Sequence, residues 1–118
     1  MIQLKRVYDK PGPHDGARFL VERLWPRGIR KTDLPIDAWH KEAGPSTQLR
    51  KWFDHDPEKW EDFRQKYFAE LEARPDAWEP ILKAAKKGMV TLLYSSHDTA
   101  QNNAVALRDY VQAKLRSS

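Results

Sequence analysis

Apolar and polar positions alternate over residues 2–8, Ile-Gln-Leu-Lys-Arg-Val-Tyr, and predict a strand. The run from Asp9 to Gly16 holds Pro11, Gly12, Pro13 and Gly16 and predicts a turn-rich connection. Residues 18–25, Arg-Phe-Leu-Val-Glu-Arg-Leu-Trp, predict a second strand that Pro26 and Gly28 end. Ile36 and Trp39 fall at helical spacing between Pro35 and Ala43, which predicts a short helix stopping at Gly44-Pro45. Ser46 is placed to cap another short helix over 47–53, its hydroxyl accepting a backbone N–H.

Asp56-Pro57-Glu58 supplies a cap, a proline at the first helical position and an acid in the first turn. Trp60, Phe63, Tyr67 and Leu71 then share one face of a helix. A further helix is expected after Asp76, with Pro80 in its first turn and Gly88 at its end. Met89 to Tyr94 is almost continuously apolar, the pattern of a strand buried on both faces. Asp98 and Gln101 have capping-box spacing, and Ala104, Leu107, Val111 and Leu115 line one side of a last helix.

A helix-rich middle between two strands implies a crossover and hence parallel pairing. The expected architecture is a single α/β domain over residues 1–118, a small, mostly parallel sheet flanked by helices in a Rossmann-like three-layer arrangement. In such sheets ligands bind beyond the carboxyl ends of strands. Trp25 to Lys31 follows one strand and Ser95 to Asn103 follows another, so both loops are expected on one rim.

Composition narrows the chemistry. At 118 residues with 40% hydrophobic side chains, the chain is long enough for a core. It has no cysteine, so a disulfide, a thiol nucleophile and a thiolate metal site are excluded. No stretch reaches the roughly 18 apolar residues of a membrane span. The amino terminus also lacks the apolar segment of a signal peptide. These features point to a cytoplasmic protein. The net charge of +4 favours anionic partners, although 17 acidic residues are interspersed with the 21 basic ones.

Arg23, Arg27, Arg30 and Lys31 surround Trp25 and Gly28. A guanidinium fork matches carboxylate or phosphate, so this segment reads as an anion clamp with an aromatic wall. A rigid turn with solvated cations explains it as well. Tyr94, Ser95, His97 and Asp98 offer hydroxyls, an imidazole and a carboxylate ahead of a helix, a candidate catalytic or anion-binding set. Asp98 is equally suited to capping that helix. Asn102 and Asn103 could orient a substrate or cap the same helix.

Three of the four histidines directly precede an aspartate, yet no segment shows metal-ligand spacing, and no metal or cofactor is expected. The tryptophans mostly follow helical periodicities, as core residues do; Trp52, beside Arg50 and Lys51, is the exception, where a nucleobase could stack, although a helix–helix contact explains it better. There is no P-loop, dinucleotide fingerprint or Gly-x-Ser-x-Gly elbow.

The segment Arg23-Leu24-Trp25-Pro26-Arg27-Gly28 resembles the hallmark of the YeaO-like bacterial proteins. The resemblance continues through Trp39, Pro45-Ser46-Thr47, Leu49-Arg50, Trp52-Phe53, His55-Asp56-Pro57 and Trp60. It ends with Val90 to Tyr94 and Asn102-Asn103-Ala104. It implies a small bacterial cytoplasmic α/β domain and carries over no activity, substrate, cofactor or catalytic residue. The residues themselves point first to a small anionic ligand, such as a nucleotide or phosphorylated metabolite. Arg23, Trp25, Arg27, Tyr94, Asn102 and Asn103 would bind it. Ser95, His97 and Asp98 would carry any metal-independent hydrolysis or group transfer. A nucleic-acid module using the basic loop and a protein-interaction adaptor are the alternatives.

Overall fold

The computed structural model describes residues 1–117. Four strands form one sheet: β1 (Ile2–Arg6), β2 (Ala17–Leu20), β3 (Ala38–Trp39) and β4 (Val90–Tyr94). Their order is β1-β4-β2-β3 and every pair is parallel. Four helices accompany them: α1 (Thr47–Phe53), α2 (Trp60–Ala73), α3 (Pro75–Lys87) and α4 (Asn103–Ser117). β4 is buried at every position, as its apolar run predicts, because it is an inner strand with both faces covered.

The two faces of the sheet are covered differently. Ile2, Phe19, Val21, Val90, Leu92 and Tyr94 pack into one cluster with the buried sides of all four helices. Leu20, Leu93 and Val7 face the other way, against Leu34, Trp25, Ile29, Ile36 and Trp39. The second covering layer is therefore the irregular chain between β2 and β3, not a helix. Its apolar residues do the shielding, and its backbone is paired locally, as in Asp33 N–H to Arg30 O.

Several elements depart from the periodicity. The helix expected over 35–43 is the two-residue strand β3 followed by a single 3-10 turn at Lys41–Ala43. Its backbone satisfies itself on β2 instead: Asp37 N–H donates to Arg18 O and His40 N–H to Leu20 O. The Asp37 carboxylate accepts in turn from Arg18 N–H. Two apolar residues three apart do not outweigh that ladder. Strand β2 ends at Leu20, short of Trp25. Helix α3 begins at Pro75, one residue before Asp76, so Pro80 lies inside it and not in its first turn. Asp98 caps only an isolated turn, and Asn102 caps α4, its Oδ1 accepting from Val105 N–H.

One glycine is required by position. Gly16 has φ +65°, and a Cβ there would lie 2.1 Å from the Met89 carbonyl oxygen. The chain enters β2 at that point, held by Ala17 N–H donating to Met89 O.

A candidate ligand cleft at the carboxyl rim of the sheet

Because β2 and β4 are parallel neighbours, with Leu20 opposite Leu93, the segments that follow them leave the sheet at the same rim. They enclose a cleft in two lobes. The first, about 270 Å³, is lined by Tyr8, Arg23, Trp25, Pro26, Arg27 and a shared set of residues. The second, about 460 Å³, adds Lys51, Phe53, His55, Phe63, Gln101 and Asn102. Glu22, Leu24, Pro45, Arg50, Ser95 and Asn103 line both lobes and form the junction.

The expected residues divide into two groups, those facing the cleft and those outside it. Ser95 lies at the junction, where its Oγ donates to Glu22 Oε1 at 2.8 Å and its N–H to Glu22 Oε2 at 3.2 Å. Asn103 is there too, its side-chain amide donating to Val21 O and thereby tying α4 to the end of β2. Asn102 reaches the second lobe but is buried and occupied by capping and by a bond to Asp98 O. Trp25 walls the first lobe, anchored by Nε1–H donating to Ile29 O, with its ring edge-to-face on Trp39 at 5.2 Å. Arg23 is half-spent: it donates to Gly44 O and lies 3.5 Å from Glu42. The Arg27 side chain is exposed at the lobe's mouth, while its carbonyl accepts from the Tyr8 hydroxyl.

Tyr94, His97 and Asp98 do not line either lobe. Tyr94 is buried in the helical-side core, where burial pushes its phenol up. His97 is exposed, with Nδ1 3.4 Å from the Arg6 guanidinium. The Asp98 carboxylate accepts from Gln101 and Ala100 N–H, and those bonds hold it below the usual carboxylate range. Ser95, His97 and Asp98 therefore make no hydrogen-bonded relay with one another. Arg30 pairs with Asp33, and the Lys31 ammonium sits between the Trp25 and Trp39 rings at 5.9 and 5.8 Å. Trp52 lies apart on the surface with the ammonium groups of Lys59 and Lys66 both 5.2 Å from its ring. A nucleobase would have to displace them. No group of three or more potential metal-ligating His, Cys, Asp or Glu occurs among the described residues.

Two junction residues were not singled out for this site in the chain. Among the described residues the Glu22 carboxylate is bonded only by Ser95, and burial pushes its pKa above the ordinary value, opposed by the Ser95 donors and by the Arg50 charge. The Arg50 side chain, on α1, makes no hydrogen bond or ion pair among the described residues, and its Nε is shielded from solvent without an acceptor. The signal for Glu22 was present: an acid just past an apolar strand stands on the ligand-binding rim of a parallel sheet. Arg50 carried no comparable signal, since only helix packing brings α1 to that rim.

The fold and the cleft define a small parallel α/β domain with an arginine-bearing cleft at the carboxyl edge of its sheet. The chain belongs to the YeaO-like family, and the family model described as the inactive DUF488-N3 subclade matches residues 1–118. It is 48% identical to the uncharacterized protein YeaO of Escherichia coli K12 over 112 residues, 95% of this chain and 97% of that one. An uncharacterized protein of Mycobacterium tuberculosis H37Rv is 34% identical over 113 residues, 96% of this chain and 95% of that one. No solved structure matches the chain. No helix among the described residues is long and apolar enough to cross a membrane.

Proposed function

We propose that the rim cleft is a binding site for a small anionic molecule, and that it binds without catalysing a reaction on it. The observation that carries this reading is Arg50, a half-buried guanidinium in the cleft junction with no carboxylate or carbonyl bonded to it. A guanidinium N–H hidden from solvent without an acceptor is costly, and a ligand carboxylate or phosphate that accepts from it relieves that cost. Arg27 and Arg23 open onto the same lobe, and guanidinium forks suit both anions.

The absence of a relay argues for binding over turnover. A serine nucleophile needs a base to take its proton. Here Ser95 Oγ donates to the Glu22 carboxylate, but among the described residues no third side chain orients that carboxylate as a base, and the imidazole of His97 faces a guanidinium outside the cleft. The family model that matches the chain is described as an inactive subclade, which supports a site without turnover.

Thermal unfolding with inorganic phosphate and a panel of nucleotides and sugar phosphates tests the proposal. A ligand at one hundred times its Kd adds about 2.7 kcal/mol of stability. At least one anion should raise the wild-type midpoint, and Arg50→Ala should remove that rise while staying folded. If no anion shifts the wild type, or if Arg50→Ala responds as strongly, the cleft is not an anion site.

A further inference from the structure

The cleft sets a carboxylate beside its arginines, which a site for a simple anion does not need. Glu22 lines both lobes, as Arg50 does, and no ion pair joins it to a cation among the described residues. Its two donors come from one residue, Ser95, through the N–H on Oε2 and the hydroxyl on Oε1. Both donors favour the ionised carboxylate and fix its orientation, while each oxygen keeps a further acceptor site.

The junction therefore holds a guanidinium without a hydrogen-bond acceptor and a carboxylate that feels the Arg50 charge at a distance but that no ion pair joins to a cation among the described residues. Placed alone against this cleft, a phosphate or carboxylate would gain from Arg50 and be repelled by Glu22. Desolvation already raises the Glu22 carboxyl, so its ionised form gains from an incoming positive group. A ligand that carries both charges meets both needs.

We infer that the ligand is a small zwitterion, with a phosphate or carboxylate held by Arg50 and Arg27 and an ammonium group held by Glu22. This rests on the anion-site reading above and names the chemical class that the site selects. Selectivity would come from Glu22, because a ligand lacking the ammonium leaves that carboxylate desolvated further without an ion-pair partner.

Three probes of matched size separate the possibilities: O-phosphoethanolamine, ethyl phosphate and ethylamine, titrated by calorimetry at pH 7. O-phosphoethanolamine should bind at least tenfold more tightly than ethyl phosphate, and ethylamine weakest of all. Glu22→Gln should reduce that preference to near unity while ethyl phosphate binding is kept or improved. Equal binding of the two phosphates by the wild type would overturn the zwitterion assignment and leave the anion site standing. A preference that survives Glu22→Gln would also overturn it. Failure of both phosphates, repeated with the matched pair β-alanine and propionate, would remove both readings. The wild-type comparison needs no variant, so it decides the matter even if the substitution unfolds the chain.

Discussion

Two carboxylates, the buried Asp15 and the half-buried Glu22, lie at opposite ends of the same sheet, and their surroundings differ in kind. Asp15, just before β2, is closed in. Lys5 lies 2.7 Å and Arg18 2.5 Å from its oxygens, while the Gly12 N–H and the Gln3 amide donate as well. Thr91, buried on β4, donates to its carbonyl and accepts from Gln3. The Lys5 ammonium, the Gly12 N–H and the Arg18 guanidinium hold the Asp15 carboxyl at about 2. The carboxylate of Glu22, just after β2, is bonded by Ser95 alone among the described residues, and its pKa is pushed the opposite way. The Asp15 cluster consumes its charges in pinning the 9–16 turn to the sheet, leaving only Nη2 of Arg18 without a partner. The Glu22 junction leaves a carboxylate and a guanidinium open to a shared cleft. The closed network pins the fold, whereas incompletely paired charge lining a cleft is the pattern that marks a candidate functional site.

The largest test of this contrast is Asp15→Asn. It strands Lys5 and Arg18 without their counter-charge, and breaking a buried pair costs about 3–5 kcal/mol. Urea unfolding should show a loss of about that size; a loss under about 1 kcal/mol would mean the cluster does not anchor the turn.

The pH dependence is the next largest effect. The Asp15 carboxyl falls from 3.8 to about 2 on folding, so its contribution is complete above 3.8 and is lost as pH drops through 2. The wild type should lose stability between pH 4 and 2, by about 2 kcal/mol from this group. That step should be missing in Asp15→Asn. Identical acid profiles for the two proteins would assign the network to other groups.

The smallest effect belongs to Glu22→Gln, and its sign is the point. A carboxyl raised on folding binds protons more tightly in the folded state, so ionised Glu22 subtracts stability once pH rises through its folded value. Removing the charge should raise stability at pH 7 by less than about 1 kcal/mol, with one Ser95 donor left less well satisfied. The gain should vanish toward pH 4. A loss of several kcal/mol would place Glu22 in the same structural class as Asp15.

Much of the architecture was legible along the chain. The apolar run at 89–94, the shared face of Trp60, Phe63, Tyr67 and Leu71, and the cap at Ser46 each correspond to what forms. Ser46 shows how far such a signal reaches: its Oγ accepts from Leu49 N–H as the pattern predicts, but the same hydroxyl also donates to Glu70 on α2 at 2.5 Å. The second bond spans 24 residues and has no local signature. Likewise, Trp39 looks helical by spacing, yet it becomes an edge-strand residue whose indole N–H donates to Glu22 O at 2.6 Å.

Local rules rank alternatives within a few residues, through caps, turn formers and the period of apolar positions. They were enough for the α/β class, the parallel sheet and the shared rim of the Trp25 and Ser95 loops. Which groups end up satisfied is decided by partners far apart in sequence. Ser95 closes on Glu22 across 73 residues, Asp98 is occupied by its own turn, and α1 delivers Arg50 to the cleft. Whether a charge is consumed or left open depends on what the folded chain packs against it, and that balance of burial and partnership exists only in three dimensions.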